Sequence, residues 1–256
     1  MNPASPPIPS PPKGGVFLRL LGSRVDGAGF AQALSRIAAF AQTTTPHQIV
    51  TANTLMLLAA ERDDELRELI ESAALVIPES WGLYWASRHL RRPLPRFTPG
   101  IDLMTALCAQ ARDTGRSVFL LGAEPGAAER SAERLVALFP GLRIAGCRHG
   151  YFSRGEEAQV LSEIRSARPT YLFVGMSVPA QEKWIARRLA ELQTPVVMGV
   201  GGSFDVLSGR LRRAPRWMRR LGIEWMFRLA QEPWRWRRIA QLPVFMGKIL
   251  REGKQG

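Results

Sequence analysis

A chain of 256 residues, 46% hydrophobic and 22% charged, can bury a sizeable core and is excluded from the collagen-like, fibrous and disordered classes. Its formal charge of +13 is regional: residues 210–256 hold 13 of the 35 Lys and Arg against three acids, Glu224, Glu232 and Glu252, while the rest holds 22 against 19. Two cysteines, Cys108 and Cys147, lack any metal-ligand spacing, which excludes a zinc site or disulfide framework and suits a reducing cytosol.

Residues 1–14 are rich in proline and poor in apolar side chains, so they predict a disordered extension rather than a signal peptide. From 15 to 209, β-type apolar runs alternate with helical patterns, the signature of βα crossovers and of an α/β core with a mostly parallel sheet. Strands are predicted over 16–21, 48–51, 75–77, 117–121, 142–147, 170–174 and 195–200. Helices are predicted over 30–42, capped by Asp26, and over 103–113, capped by Asp102 and ended by Gly115. Further helices are predicted over 63–72, 127–139, 155–167 and 181–192. No apolar run approaches the roughly 18 residues needed to span a bilayer.

Ligands of such sheets bind outside the carboxyl ends of the strands, which directs attention to five junctions. Thr51 and Asn53 leave the second predicted strand with a hydroxyl and an amide, suited either to a sugar or phosphate or to capping a helix. Glu79, between Pro78 and Trp81, is a carboxylate at the end of an apolar strand, where desolvation raises a pKa and favours a general base; a helix-dipole role is the alternative. Gly122, in Leu121-Gly-Ala-Glu-Pro-Gly126, opens a helix as phosphate-cradling loops do, although the pattern is neither G-x-G-x-x-G nor a P-loop. Gln181 begins the helix after the exit Val174-Gly-Met-Ser-Val-Pro179. Gly201 and Gly202, in Gly199-Val-Gly-Gly-Ser-Phe-Asp205, permit close approach of backbone to ligand.

The basic tail, 210–256, holds four of the seven tryptophans. Cations mixed with indoles suit an anionic surface with an apolar layer beneath, as a phospholipid leaflet presents. Pro233 separates two predicted helices. Beyond it Ile239, Leu242, Phe245, Met246 and Ile249 form an apolar stripe that either dips into headgroups, with Lys248, Arg251 and Lys254 on phosphates, or packs on a core. Truncation after Gly209 is expected to leave a folded core.

The ordered set T-x-N, R-F-T-P-G-I-D-L-M, H-G-Y-F, P-x-Q-E-x-W, G-V-G-G-S-F-D and R-A-P-R-W-M-R-R-L-G-I-E-W resembles the bacterial WecG/TagA/CpsF glycosyltransferases from about Gln48 to Arg238. The resemblance implies a Rossmann-like core and inverting transfer of an N-acetylmannosamine-type sugar from a UDP-sugar donor. The implied acceptor is a polyprenyl-diphosphate-linked N-acetylglucosamine at the cytoplasmic leaflet of the membrane. It implies Glu79 as catalytic base where better-known members have Asp, with Thr51, Asn53, Arg96 and Gln181 in the pocket. Arg228, Arg235 and Arg238 would close over the donor diphosphate. One base suffices for a single displacement. Without an Asp-x-Asp pair the arginines are the expected electrophiles, so no metal and no cofactor are expected. The resemblance also allows a homo-oligomer. A basic nucleic-acid-binding α/β protein is the rival reading; it explains the tail and leaves the strand-end motifs without purpose, so no nucleic-acid partner is expected.

Overall fold

A computed structural model describes residues 17–253. The extension over 1–14, the first residue of the strand predicted over 16–21, and Lys254 lie outside the described residues. The chain opens with an antiparallel hairpin, β1 (Phe17–Leu20) and β2 (Ser23–Asp26). There follow α1 (Phe30–Phe40), β3 (His47–Ala52), α2 (Thr54–Ala60), α3 (Asp64–Ser72), β4 (Leu75–Pro78), α4 (Trp81–His89) and α5 (Gly100–Asp113). Next come β5 (Ser117–Gly122), α6 (Ala127–Leu138), β6 (Arg143–Arg148), α7 (Glu157–Ala167), β7 (Tyr171–Gly175), α8 (Ala180–Leu192) and β8 (Val196–Gly199). The last part is helical: α9 (Ser203–Leu207), α10 (Arg216–Leu221), α11 (Glu224–Gln231), a 3-10 turn (Pro233–Arg235), α12 (Trp236–Ile239) and α13 (Leu242–Glu252).

Strands β3 to β8 form one parallel sheet in the order β4-β3-β8-β7-β5-β6. Alternate side chains of each strand leave opposite faces, so two cores form. Val118, Leu120, Tyr171 and Phe173 face the layer of α1, α5 and α6, whereas Phe119, Leu121, Leu172 and Val174 face α7 and α8. Buried throughout, strands β4, β7 and β8 read as unbroken apolar runs, which is why they are legible. The fold is a three-layer, Rossmann-like α/β sandwich.

Two predicted caps are corrected. Asp26 does not start α1; it ends β2, where Oδ2 accepts the Val76 amide at 2.8 Å and the carboxylate pairs with buried Arg24 at 3.2 Å. It thereby satisfies a backbone donor of edge strand β4, while α1 starts at Gly29 with the Gln32 side chain accepting the Gly29 N–H. Asp102 lies inside the first turn of α5, whose N-cap is Pro99. By contrast Asp63 caps α3, its Oδ1 accepting the Leu66 N–H at 3.1 Å.

In the tail, of the two expected roles for the apolar stripe, core packing is the one seen. Helix α13 does not present its whole apolar stripe to solvent: Phe245 and Ile249 are buried in the core formed with α2 and α4. Lys248 pairs with Glu61 at 2.9 Å instead of remaining free for a phosphate. An amphipathic helix fits a core as well as a leaflet, and here the groove beside α4 takes it. Truncation after Gly209 therefore opens a core. No helix of the described residues is long and apolar enough to cross a membrane.

Candidate active site

Strand register sets the site. Thr51 and Ala52 of β3 lie opposite Ile77 and Pro78 of β4, so Asn53 and Glu79 emerge side by side at the carboxyl end of the sheet. Val174 lies opposite Gly199 and Gly122 opposite Gly175, which brings the exits of β5, β7 and β8 to the same rim. Above this rim a cleft of about 1260 Å³ is roofed by the segment from Arg210 to Met246. Thr51, Asn53, Glu79, Gln181, Gly201, Gly202, Arg228, Arg235 and Arg238 all line it.

Glu79 is half-buried in the cleft floor, and its Oε1 accepts the Gly100 N–H at 3.0 Å. Desolvation pushes its pKa up to about 7, against the lowering effects of the Gly100 N–H and of Arg228, while Glu224 adds to the rise. The helix-dipole alternative fails because Glu79 precedes α4 by two residues and turns to α5. Thr51 is buried and donates its hydroxyl to the Gly199 carbonyl at 3.1 Å, tying β3 to β8 beneath the cleft. Asn53 is the N-cap of α2: its Oδ1 accepts the N–H groups of Leu55 and Met56, both at 3.1 Å. Its amide nitrogen remains for a ligand.

The arginines meet by tertiary packing. Arg228 comes from α11, Arg235 from the 3-10 turn and Arg238 from α12, so Pro233 does break the helix and the three still converge. Arg228 donates to the Gly202 carbonyl at 3.2 Å, and burial and the nearby Arg235 guanidinium lower its pKa. Crowded cations of this kind favour an anionic ligand. Arg235 is also paired with buried Glu232.

Three predicted residues play other parts. Arg96 is exposed outside the cleft wall, where it donates to the Arg220 carbonyl at 2.8 Å and lies over Phe97, so it braces the roof. Gly122 does not line the cleft; its φ of +141° and its contact with the Gly175 backbone allow β5 and β7 to end in register. Gln181 is buried with its amide held by the protein rather than offered to a ligand. Trp81 lines the cleft and also lies against Gly222, in the turn between α10 and α11.

Arg210, Arg213 and Arg219 also line the cleft, although the sequence assigned such cations to the leaflet. Arg210 pairs with Glu124 at 2.9 Å and Arg213 with Asp102 at 2.6 Å, fastening the roof to both sides of the rim. Glu224 was missed too; it enters the cleft from the first turn of α11. No local pattern marks these residues, because their partners are distant in sequence.

A Rossmann-like sheet with a cleft at its strand ends, roofed by a basic helical segment, defines an α/β protein whose cleft suits an anionic ligand. The sequence model of the glycosyl transferase WecG/TagA/CpsF family matches residues 18–256. Among curated relatives are the N-acetylglucosaminyldiphosphoundecaprenol N-acetyl-beta-D-mannosaminyltransferases of Staphylococcus aureus strains MW2, NCTC 8325 / PS 47 and COL. Each is 36% identical over 235 residues, covering 90% of this chain and 91% of the relative. The chain belongs to the WecG/TagA/CpsF family and is a glycosyltransferase.

Proposed function

We propose that this glycosyltransferase moves an N-acetylmannosamine-type sugar from a UDP donor to a polyprenyl-diphosphate-linked N-acetylglucosamine, with inversion and without a metal, in cell-surface polysaccharide synthesis. The observation that carries the reading is Glu79, a desolvated carboxylate with a pKa of about 7 in a cleft shared with Arg228, Arg235 and Arg238. A base with that pKa is half ionised at neutral pH, near the optimum for taking a hydroxyl proton. The Gly100 N–H steadies one oxygen and leaves the other for the acceptor hydroxyl as it attacks the anomeric carbon. The electron pair of the breaking glycosidic bond leaves with UDP, and the arginines stabilise the added charge.

The volume of about 1260 Å³ exceeds the roughly 300–1,000 Å³ of an ordinary ligand pocket, as two substrates require. The relatives are named for transfer of an N-acetyl-β-D-mannosaminyl group to N-acetylglucosaminyldiphosphoundecaprenol. A β product from an α-linked nucleotide sugar requires inversion. Membrane proximity is supported by Trp217, Trp225, Trp234 and Trp236, all exposed on the roof beside its arginines.

The test is purified protein with a short-chain polyprenyl-diphosphate-N-acetylglucosamine and a panel of UDP-sugars, with and without EDTA. Transfer from UDP-N-acetylmannosamine that EDTA leaves unchanged, with a β linkage by NMR, is expected. No transfer from any UDP-sugar, together with tight salt-sensitive DNA binding, refutes the proposal.

A further inference from the structure

Behind the cleft floor lies a buried pair that the transfer chemistry above does not use. Gln181 and Glu182, in the first turn of α8, are each 1% exposed. The Gln181 carbonyl oxygen accepts two backbone donors, Met176 N–H at 3.1 Å from the exit of β7 and Gly201 N–H at 2.9 Å from the exit of β8. Its amide nitrogen donates to Glu182 Oε1 at 2.7 Å. One side chain thus joins the two loops that floor the cleft.

A primary amide has two ends of nearly equal size and opposite hydrogen-bonding sense. Turned over, Gln181 would present its NH2 group to two N–H groups, and both loops would lose their acceptor. The two N–H groups on the Gln181 oxygen favour the observed orientation, and the one acceptor beside its nitrogen, Glu182, completes it. We propose that Glu182 is a positioning residue for sugar transfer: by accepting the Gln181 amide it fixes the orientation that clamps the Met176 and Gly201 loops beneath the donor.

Two further observations support this. A Cβ at Gly199 would overlap Gln181 Nε2 and press on Glu182 Oε1, so the last residue of β8 leaves room for this pair. The same residue's carbonyl accepts the Thr51 hydroxyl, which links the pair to the floor beside Glu79. Glu182 Oε2 has no hydrogen-bond partner among the described residues, and burial pushes the carboxyl up to about 7. A neutral acid with its proton on Oε2 would keep Oε1 as an acceptor, so the contact does not require the charge.

The proposal rests on the donor reading above, and its test separates the two. Glu182→Gln keeps an acceptor beside Gln181, whereas Glu182→Leu removes it at similar volume. Three readouts are taken on the parent and both variants: amide hydrogen exchange at Met176 and Gly201, KM for the UDP-sugar, and kcat. Glu182→Leu is expected to exchange faster at both amides and to raise KM by about tenfold, the effect of one lost buried hydrogen bond, with a smaller change in kcat. Glu182→Gln is expected to match the parent within about twofold. Unchanged exchange in a folded Leu variant overturns the clamp. Faster exchange with an unchanged KM overturns its role under the donor. A Gln variant as impaired as Leu, or impaired where Leu does not fold, overturns the acceptor role in favour of charge. A parent that transfers no sugar overturns the donor reading, and the proposal with it, whatever the exchange data show.

Discussion

Replacing Glu79 by Gln tests the central chemical claim with little geometric disturbance. The Gln carbonyl can still accept the Gly100 N–H that Glu79 accepts at 3.0 Å, and the amide fills nearly the same volume. What is lost is the ability to take a proton. General-base catalysis is worth roughly 10²–10⁴-fold, so kcat should fall by about that factor while UDP affinity, read by calorimetry, stays within about twofold. The parent supplies an independent measure. Burial puts the Glu79 pKa at about 7, and the ionised form is the active one, so kcat/KM should rise with pH and level off above neutrality. With that midpoint about a tenth of the enzyme is active at one pH unit below it and about nine-tenths at one unit above. Turnover of Glu79→Gln within tenfold of the parent would refute the base. So would a limb centred near 4.5, the ordinary Glu value.

Glu224 raises the Glu79 pKa as a like charge in the same cleft, so Glu224→Gln should move the acid limb of kcat/KM to lower pH; movement to higher pH contradicts the arrangement. Stability gives a second pH signature. Glu79 and Glu182 both titrate near 7 when folded against an ordinary 4.5, so the folded state holds protons that the unfolded chain has released between those values. Stability should therefore fall as pH rises through that window and level off above about 7. Glu79→Gln should then gain up to about 3 kcal/mol near pH 8 and nothing near pH 4, read from urea midpoints; equal gains at both would refute the linkage. Phe245→Ala leaves a cavity in the core beneath α4 and should cost about 3–5 kcal/mol, lowering Tm by about 10 °C; a shift below about 2 °C would mean that α13 is detachable.

Legibility followed the range of the interactions. Strands β4, β7 and β8 announce themselves because they are buried throughout, leaving little beside apolar residues. Glu79 stood out as an acid at the end of such a run, and the ordered motifs named its family. Strand β2, Ser-Arg-Val-Asp, did not stand out, because its two charges are satisfied by each other and by the Ala73 carbonyl. Helix α4 begins Trp-Gly-Leu-Tyr-Trp, in which bulky aromatics and a glycine hide the helical period. Gln181 was visible as a polar residue at a helix start, but its partner Gly201 is 20 residues away. Arg210, Arg213 and Arg219 were visible as charge alone: Arg213 meets Asp102 only after the sheet has brought α5 beneath the tail.

The tail is held at both ends. Arg213 on Asp102 fastens its start, and Phe245 with Ile249 buries its finish, so the stretch between them is a strap across the cleft rather than a loose tether. That strap carries Glu224, Arg228, Arg235 and Arg238 into the cleft and exposes Trp234 and Trp236 outward. On the function proposed above, contact with a leaflet and closure over the donor would belong to one segment, yet use different side chains. Replacing Trp234 and Trp236 together by Ser removes two indoles that are 65% and 59% exposed, so Tm should hardly change. Flotation with anionic vesicles should fall, and kcat/KM for a vesicle-embedded acceptor should drop by about tenfold or more, since interfacial tryptophans supply much of the apolar anchoring. With a short-chain acceptor free in solution, kcat/KM should stay within about twofold of the parent. An equal fall on both acceptors would place the indoles in the closing of the cleft and refute their separation from it.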